Sequence, residues 1–407
     1  MPKSKITVPS FLTVLAAVLV GTAACDTLFT EAPDDADLFD APLPGLTPAE
    51  MEVFIRGDGE FGRAFAAATG LGPIFNNVSC ANCHSGDGRG RPENALVRFS
   101  RGTDPARDVG GPQLQDRAIP GAEPETLPEG VDVSVRLPPP VFGVGLIEAI
   151  PVDAILANAD PTDADGDGIS GRPNMVAAPP WVPPTEVGAG PELQLGRFSR
   201  KAQVSSVFQQ VVEAYHQDIG VTSPFLPNEN INPRDGGGTV AHDRTPDPEV
   251  EESTIRAVVD YVRMLAPPAP GADTPERVRG GVVFDSIGCA KCHVPEFTTG
   301  PSRIGALAGQ RVVLYSDLLL HDMGDELADN RPDGDADGRE WRTAPLWGLR
   351  LVRDFLNGDM FLLHDGRART IAEAVRFHGG EAAAVRTAFD ALSAADQAAL
   401  ITFVESR

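Results

Sequence analysis

Apolar residues at helical spacing mark the ends of two halves of the chain. Near the middle, apolar residues recur at intervals of three and four positions: Ile255, Val258, Val259, Val262 and Leu265. Leu400, Phe403 and Val404 repeat this spacing at the C-terminus. Because positions three and four apart share one face of a helix, each half is predicted to close with an amphipathic helix.

Helix start signals appear three times. Thr47–Glu50 combines an N-cap threonine, a proline at the first helical position and a capping-box glutamate. Thr274–Glu276 repeats the threonine and proline, and Thr370–Glu373 repeats the capping box. A proline-rich loop precedes the second signal. These patterns predict a mostly α-helical protein with two domains, residues 47–266 and 273–407.

Composition adds size, loops and charge to this picture. With 407 residues, 42% of them apolar, the chain can bury a sizeable core in more than one domain. Its 42 glycines and 37 prolines predict long loops between the helices. A net charge of −24 argues against nucleic acid as a partner and favours a basic protein partner.

The N-terminus has the features of an export signal. Two lysines precede the apolar run Phe11–Val20, and small residues lead to Cys25. This order predicts a signal peptide at residues 1–24. The cleavage region resembles a bacterial lipobox, so Cys25 is a candidate for lipidation; an ordinary signal with an incidental cysteine is the alternative. The acidic stretch 25–46 is predicted to be a linker, and the mature protein to be periplasmic and lipid-anchored.

One segment occurs twice in the chain. Ile74–His84 aligns without gaps on Val283–His293, 209 residues later. The two copies share a Cys-x-x-Cys-His motif, formed by Cys80, Cys83 and His84 and by Cys289, Cys292 and His293. This agreement indicates two copies of one domain.

Cys-x-x-Cys-His is the attachment pattern of c-type haem. Cysteines three apart on a helical turn face the same way, so both thiols can reach the vinyl groups of one porphyrin, and the histidine becomes the proximal iron ligand. A thiol–disulfide centre needs no such histidine, and a zinc site made from both pairs would span an unusual gap. The motifs therefore predict two covalently bound haem c groups in two cytochrome c-like helical domains.

His378 is the candidate for the second axial ligand of the C-terminal haem. It follows the helix predicted from Thr370 and precedes two glycines. A histidine that merely caps the helix C-terminus is the alternative. Other candidates lie near the second motif in sequence: His321, Met323 and Met360. The sixth ligand of the N-terminal haem is left open.

Two aspartate-rich stretches resemble the first half of a calcium loop. Asp163, Asp165 and Asp167 alternate with other residues and end in Asp-Gly, and 333–338 repeats the arrangement. Both stretches lack the glutamate at position twelve of an EF-hand loop. Each is therefore a candidate calcium site or a solvated acidic turn.

Segments outside the haem motifs resemble one family. From Thr47 to Arg407 the chain is similar to the bacterial di-haem oxidoreductases, once labelled thiol oxidoreductases, which are relatives of the bacterial di-haem cytochrome c peroxidases. The similar segments cover nearly the whole mature chain: Pro138–Pro151, Asp163–Gly168, Gly171–Asn174, Leu318–Gly324, Trp341–Leu349, Phe361–Thr370 and Arg376–Glu381.

The resemblance implies a division of labour between two haems. In the related peroxidases the N-terminal haem binds peroxide on an open face, and the six-coordinate C-terminal haem passes electrons to it. His378 matches the family's methionine ligand (tyrosine in the relative that matures methylamine dehydrogenase), which implies bis-histidine ligation here. Relatives often carry a tryptophan within 196–202, where Phe198 is the only aromatic residue of this chain.

Glu148 is the candidate catalytic residue. It is the only charged residue between Arg136 and Asp153, in a segment similar to the family. A carboxylate at that place suits the proton transfer that peroxide cleavage needs. A glutamate that caps the helix starting at Pro151 is the alternative.

The sequence thus favours a peroxidase-like di-haem oxidoreductase. Its predicted partners are a small electron-donor protein and peroxide or another small oxidant, with membrane contact only through the lipid anchor. A non-catalytic di-haem electron-transfer cytochrome is the second reading, and a dithiol protein without haem is the third.

Overall fold

The computed structural model describes residues 38–84, 86, 88–236 and 238–407. The predicted signal peptide, Cys25 and residues 25–37 of the predicted linker lie outside the described residues. Within the described ranges, no helix combines the length and the apolar character needed to cross a membrane.

Among the described residues 34% are helical and 11% are in strands, and irregular segments form the rest. The helices of the described part are α1 Pro48–Gly62, α2 Cys80–Cys83, α3 Val144–Ala149, α4 Val152–Leu156, α5 Val207–Asp218, α6 Glu252–Met264, α7 Pro275–Ser286, α8 Val352–Phe355, α9 Ile371–Phe377, α10 Ala383–Asp390 and α11 Ala394–Glu405. The fold is therefore mixed and loop-rich, with helix as its main regular structure.

The three helix starts predicted from the sequence are confirmed. At α1 the Thr47 hydroxyl accepts the Glu50 N–H at 3.3 Å, and the Glu50 carboxylate accepts the Thr47 N–H at 2.8 Å. The hydroxyl of Thr274 caps α7 in the same way, and that of Thr370 caps α9. These side chains satisfy N–H groups that a helix N-terminus leaves without partners.

The strands form five separate two-stranded antiparallel ladders, which the sequence analysis did not predict. They are β1 Ile74–Phe75 with β3 Arg117–Ala118, β2 Leu96–Ser100 with β4 Asp132–Arg136, β5 Met175–Ala177 with β6 Leu193–Leu195, β7 Phe297–Thr298 with β8 Arg311–Val312, and β9 Leu320–Asp322 with β10 Glu340–Arg342. The longest ladder pairs Leu96 with Arg136 and Ser100 with Asp132. Each ladder fastens a loop and does not build an extended sheet.

The core crosses the boundary predicted between the two domains. Helix α6 packs against α1 and α5, and α7 packs against α11. Apolar residues that follow the boundary loop nevertheless belong to the core around α6, among them Phe297, Ile304, Leu314, Leu318 and Leu319. Conversely, Leu137 packs in the cluster around α7 and α11. The division into two cytochrome c-like domains stays a prediction.

Candidate functional site

The first Cys-x-x-Cys-His motif forms one helical turn in the wall of a cavity. Ser79 begins the turn, because its hydroxyl accepts the Asn82 N–H at 3.2 Å. The His84 N–H donates to the Cys80 carbonyl at 3.0 Å and closes the turn. Cys80, Cys83 and His84 all line a cavity of about 190 Å³, the N-terminal cavity.

The second motif repeats this arrangement. Gly288 turns the chain with φ +94°, a left-handed conformation that favours glycine. The His293 N–H donates to the Cys289 carbonyl at 3.0 Å, the same bond as in the first motif. Cys289, Cys292 and His293 line a cavity of about 220 Å³, the C-terminal cavity. The sequence repeat is therefore also a repeat of local geometry.

Three half-buried histidines share one hydrogen-bonding arrangement. The Nδ1 of His84 donates to the Pro139 carbonyl at 2.8 Å, and that of His293 donates to the Tyr315 carbonyl at 2.8 Å. The Nδ1 of His378 donates to the carbonyl of Ala374 at 2.7 Å. Burial lowers the pKa of all three, to about 4 for His84 and His293. Each ring is thus neutral and has an Nε2 lone pair for a metal.

His378 and His293 lie in the same cavity, as the bis-histidine prediction requires. Both line the C-terminal cavity, His293 from the motif and His378 from the C-terminal end of α9. The alternative, in which His378 caps α9, also agrees with the structure, because His378 is the C-cap residue of this helix. The contact of Nδ1 with a carbonyl fixes the ring and directs Nε2 away from α9.

His321 lines the C-terminal cavity but is not placed to bind a metal. Its Nε2 contacts Asp317 at 2.8 Å and its Nδ1 contacts Glu381 at 2.8 Å, so both nitrogens are occupied. Burial opposes charge on this ring, yet the hydrogen bonds to the two carboxylates hold the pKa of His321 well above its ordinary value. Met323 lines the cavity, and Met360 is buried outside the lining.

Glu148 lies in α3, but it does not line the N-terminal cavity. Its Oε1 accepts the Val207 N–H at 2.8 Å, and its Oε2 accepts the Nε of Arg263 at 2.6 Å. Glu148 does not cap the helix that follows Pro151 either, because α4 has no side-chain cap. Glu148 instead caps α5, which is distant in sequence and which no sequence signal could have identified.

The first aspartate-rich loop gathers two of its three predicted calcium ligands. Carboxylate oxygens of Asp163 and Asp165 lie within 4.8 Å of one another and of Asp160, which the sequence analysis missed. Asp167 is the exception, because its carboxylate pairs with the ammonium of Lys291 at 2.9 Å. Since Lys291 stands inside the second Cys-x-x-Cys-His motif, this loop is joined to the C-terminal site.

The second aspartate-rich loop is neutralised by the protein's own cations. Asp333 forms ion pairs with Arg136, at 2.5 Å, and with Arg331, at 2.6 Å. Asp329, just before the loop, pairs with the buried Lys201 at 2.8 Å. Asp333 and Asp329 thus belong to a buried ion-pair cluster, which favours a structural role for these two carboxylates over calcium binding.

The segment Trp341–Trp347 lies between the two cavities. Trp341 lines the C-terminal cavity and Trp347 lines the N-terminal cavity, while three residues between them line both. Trp341 also stacks on His364, with ring centroids 3.7 Å apart and planes 9° apart. Phe198, at the position where relatives often have tryptophan, lines only the N-terminal cavity. The sequence showed both tryptophans but not their position between the sites.

Two like cavities, each with a Cys-x-x-Cys-His turn and a neutral histidine, define a protein with two similar cofactor sites. The family described as "Di-haem oxidoreductase, putative peroxidase" matches residues 18–101 and 121–407. The chain belongs to this di-haem oxidoreductase family, as the sequence predicted, and its cofactors are haems.

No curated protein matches the chain. Among solved structures, the hydrazine synthase of Kuenenia stuttgartiensis, pressurised with xenon, is 14% identical over 100% of both chains, with a TM-score of 0.39. A MauG-like protein associated with microbial copper homeostasis is 13% identical. That match covers 65% of this chain and 87% of that chain, with a TM-score of 0.30.

Proposed function

We propose that the protein reduces peroxide at a haem in the N-terminal cavity, using electrons passed from a haem in the C-terminal cavity. The observation that carries this proposal is an asymmetry between two otherwise similar sites. Four histidines line the C-terminal cavity. His321 is held by two carboxylates and His364 is stacked on Trp341, whereas His293 and His378 donate from Nδ1 to a carbonyl and keep Nε2 for iron. Among the described residues that line the N-terminal cavity, His84 is the only histidine and there is no methionine.

The side chains present fit covalently attached haem c. Each cavity has mostly apolar walls, two thiols and a neutral imidazole. Burial raises the pKa of Cys83 to about 11 and that of Cys289 to about 12. Thiols of this kind are poor thiolate ligands for zinc and poor redox dithiols, which disfavours both rival readings. Haem bound there would supply the electron transfer and the iron centre at which the O–O bond breaks.

The hydrogen bonds that the histidines donate from Nδ1 would prepare Nε2 to bind the haem iron. A carbonyl that accepts from Nδ1 orients the ring and makes Nε2 a better donor. His84 would then hold its haem from one side only, which leaves the other side for peroxide. His293 and His378 would hold theirs from both sides, a state suited to electron transfer. Bis-histidine ligation also favours a lower potential than histidine with methionine.

Helix α5 supplies polar groups to the N-terminal cavity. Tyr215 is 1% exposed, and its hydroxyl has no hydrogen-bond partner in the described part of the chain. Burial raises the pKa of Tyr215, so the phenol stays protonated and can donate a hydrogen bond to a peroxide oxygen. Gln210, five residues before Tyr215 in the same helix, also lines the cavity. The contacts of Glu148 favour a positioning role for it, which a variant tests below.

The route between the haems would run through Trp341–Trp347. Its inner residues Arg342, Ala344 and Pro345 border both cavities, so one backbone segment would lie beside both cofactors. It takes the place of the tryptophan that relatives often carry within 196–202. Electrons would enter at the C-terminal haem from a small, possibly basic donor protein, since the chain itself carries a net charge of −24.

Three further predictions complete the proposal. Calcium would bind at Asp160, Asp163 and Asp165, where the carboxylates converge. A signal at residues 1–24 would direct export to the periplasm, and Cys25 would carry the lipid anchor. Chelation followed by calcium titration tests the first, and mass spectrometry of the mature N-terminus tests the other two.

Counting haems tests the cofactor part of the proposal. A pyridine haemochrome spectrum of the exported protein should give two covalent haems per chain. Replacing Cys80 and Cys83 with alanine should remove one, and replacing Cys289 and Cys292 should remove the other. Zinc or free thiols without a Soret band would overturn the proposal.

Peroxide turnover tests the division of labour. After reduction by one electron, the protein should show one open high-spin haem and react with hydrogen peroxide. The Cys80→Ala, Cys83→Ala variant should lose this reaction. If the wild type has no open iron and does not react, the electron-transfer cytochrome is the correct reading.

A further inference from the structure

Three arginines stand where the two cavities meet. Arg89, Arg200 and Arg342 each line both the N-terminal and the C-terminal cavity. They come from three separate segments, and only Arg342 belongs to a strand, β10. Arg89 and Arg200 are each 8% exposed. The fold therefore concentrates positive charge at one junction.

The three guanidinium groups lack acidic partners. Among the described residues, no carboxylate lies within 4.0 Å of Arg89, Arg200 or Arg342. Arg200 donates from Nε and Nη2 to the Leu137 carbonyl, and Arg342 donates from Nε to the Ser199 carbonyl at 3.0 Å. The Nε of Arg89 has no hydrogen-bond partner. Several donor groups of the trio are thus free to bind a ligand.

Several other buried arginines of the chain pair with carboxylates, although Arg197 donates to backbone carbonyls instead. Arg136 and Arg331 pair with Asp333, and Arg263 pairs with Glu148 and Glu186. In the trio, burial lowers the pKa of Arg89 and Arg342 to about 10, and burial together with the neighbouring arginines lowers that of Arg200 further. Buried charges without counter-ions are costly, so an anion is expected at this junction.

We propose that Arg89, Arg200 and Arg342 form one anion site that binds propionate carboxylates of both haems. The proposal rests on haem occupancy of both cavities. In a protohaem the vinyl and propionate groups lie on opposite edges, so attachment of the vinyl edge at each Cys-x-x-Cys turn leaves the propionates to reach the other end of the cavity. Guanidinium forks match carboxylates in a bidentate manner. The cofactors then supply the counter-ions that the chain omits.

Shared binding predicts a shared electrostatic effect. A cation near a propionate favours the reduced haem, because reduction adds negative charge. Arg89→Gln and Arg200→Gln should therefore lower the midpoint potentials of both haems in the holoprotein. Arg386→Gln is the matched control, since Arg386 lines only the C-terminal cavity and its side chain is 33% exposed. It should shift at most the C-terminal haem, and by less.

Redox titration with spectral separation of the two haems measures both midpoint potentials and tests the proposal. Counting the haems in the same samples shows whether both sites are occupied. A protein without haem is thereby distinguished from one whose arginines do not bind the propionates. Shifts at one haem only, or none beyond that of Arg386→Gln, would overturn the proposal. Where a glutamine variant yields no folded holoprotein, the lysine variant is used. Loss of the bidentate fork should move the propionate-bending Raman bands of both haems, and unchanged bands overturn the proposal.

Discussion

At the residue scale, the hydrogen bond of the second ring nitrogen separates the ligand candidates. The sequence favoured His378 as the ligand and left His321 as another candidate near the second motif. The structure shows carboxylates on both nitrogens of His321 and a carbonyl on only one nitrogen of His378. An imidazolium has no lone pair to offer iron, whereas a neutral ring with Nδ1–H engaged has one.

Replacing His378 tests this assignment. His378→Ala should keep both covalent haems and convert one low-spin bis-histidine signal into a high-spin signal, because one axial ligand is lost. Electron paramagnetic resonance of the oxidised protein measures the change. Met323→Leu is the control, since Met323 lines the same cavity. It should leave the spectrum unchanged, and the reverse pattern would reassign the ligand to Met323.

Glu148 is the residue for which structure and sequence suggest different roles. Both of its oxygens accept from protein donors, and Arg263 bridges it to Glu186. A side chain so held joins α3, α5 and α6, the elements that form the wall around His84. Its negative charge is needed there to balance a buried guanidinium, not to reach substrate.

Glu148→Gln should therefore lower stability more than turnover. Breaking a buried ion pair costs about 3–5 kcal/mol, and we expect the low end because Arg263 keeps Glu186. Peroxide turnover per intact haem should stay within roughly tenfold of the wild type, below the ~10²–10⁴ of a lost acid–base group. Thermal unfolding and steady-state assays measure both. A hundredfold loss of turnover with unchanged stability would establish the catalytic role predicted from sequence.

At the element scale, the sequence predicts what is local. Helix starts at Thr47, Thr274 and Thr370 need only a few neighbouring residues, and so does the turn that presents each cysteine pair. The short ladders escape prediction because each exists only through its partner strand; β1, for example, has two residues and pairs with Arg117 and Ala118. Three further features form only when the chain folds, so they also escaped prediction. They are the place of Asp160 in the carboxylate cluster, the Glu148 ion pair and the three arginines between the cavities.

Helix α9 links a local cap to the proposed iron ligand. The Thr370 hydroxyl accepts the Glu373 N–H at 3.1 Å at one end, and His378 follows Phe377 as the C-cap residue at the other. Thr370→Ala should cost about 1 kcal/mol and raise the high-spin fraction of the C-terminal haem, because α9 frays more often. Thr47→Ala removes the cap of α1 and is the control. An equal spectral change in both variants would refute the link.

At the scale of the whole molecule, buried ion pairs tie the two halves together. Lys201 is fully buried and reaches Asp329 at 2.8 Å, and Arg136 reaches Asp333. With the shared core, these contacts predict that the holoprotein unfolds in one cooperative transition, although its sequence suggests two domains. Differential scanning calorimetry tests this. Two transitions that separate under denaturant would support independent domains.

A second property of the whole molecule is a set of buried and half-buried carboxyl groups whose pKa is raised. Burial raises the pKa of Glu125 and Glu249 to about 7 and that of Asp218 to about 6. Burial and the neighbouring carboxylates Glu249, Asp247 and Asp243 raise the pKa of Glu229 to about 9. In the unfolded chain such groups lose their protons near pH 4. Burial also lowers the pKa of histidines such as His84 and His293, so these rings bind fewer protons in the folded state at acidic pH. Between about pH 7 and 9, where histidines are neutral in both states, the carboxyl groups leave the folded state with more protons.

Stability should therefore fall as pH rises from 7 to 9, since the state that binds more protons loses free energy on deprotonation. Glu229→Gln keeps a neutral side chain at the centre of the acidic cluster, so it should flatten the fall between pH 7 and 9. The exposed Glu192→Gln removes the same charge elsewhere and should leave the slope as it is. Thermal melts with a chelator present, which keeps cations from masking the repulsion, measure the slopes. A wild type that gains stability above pH 7, or equal slopes in the two variants, would contradict the assignment.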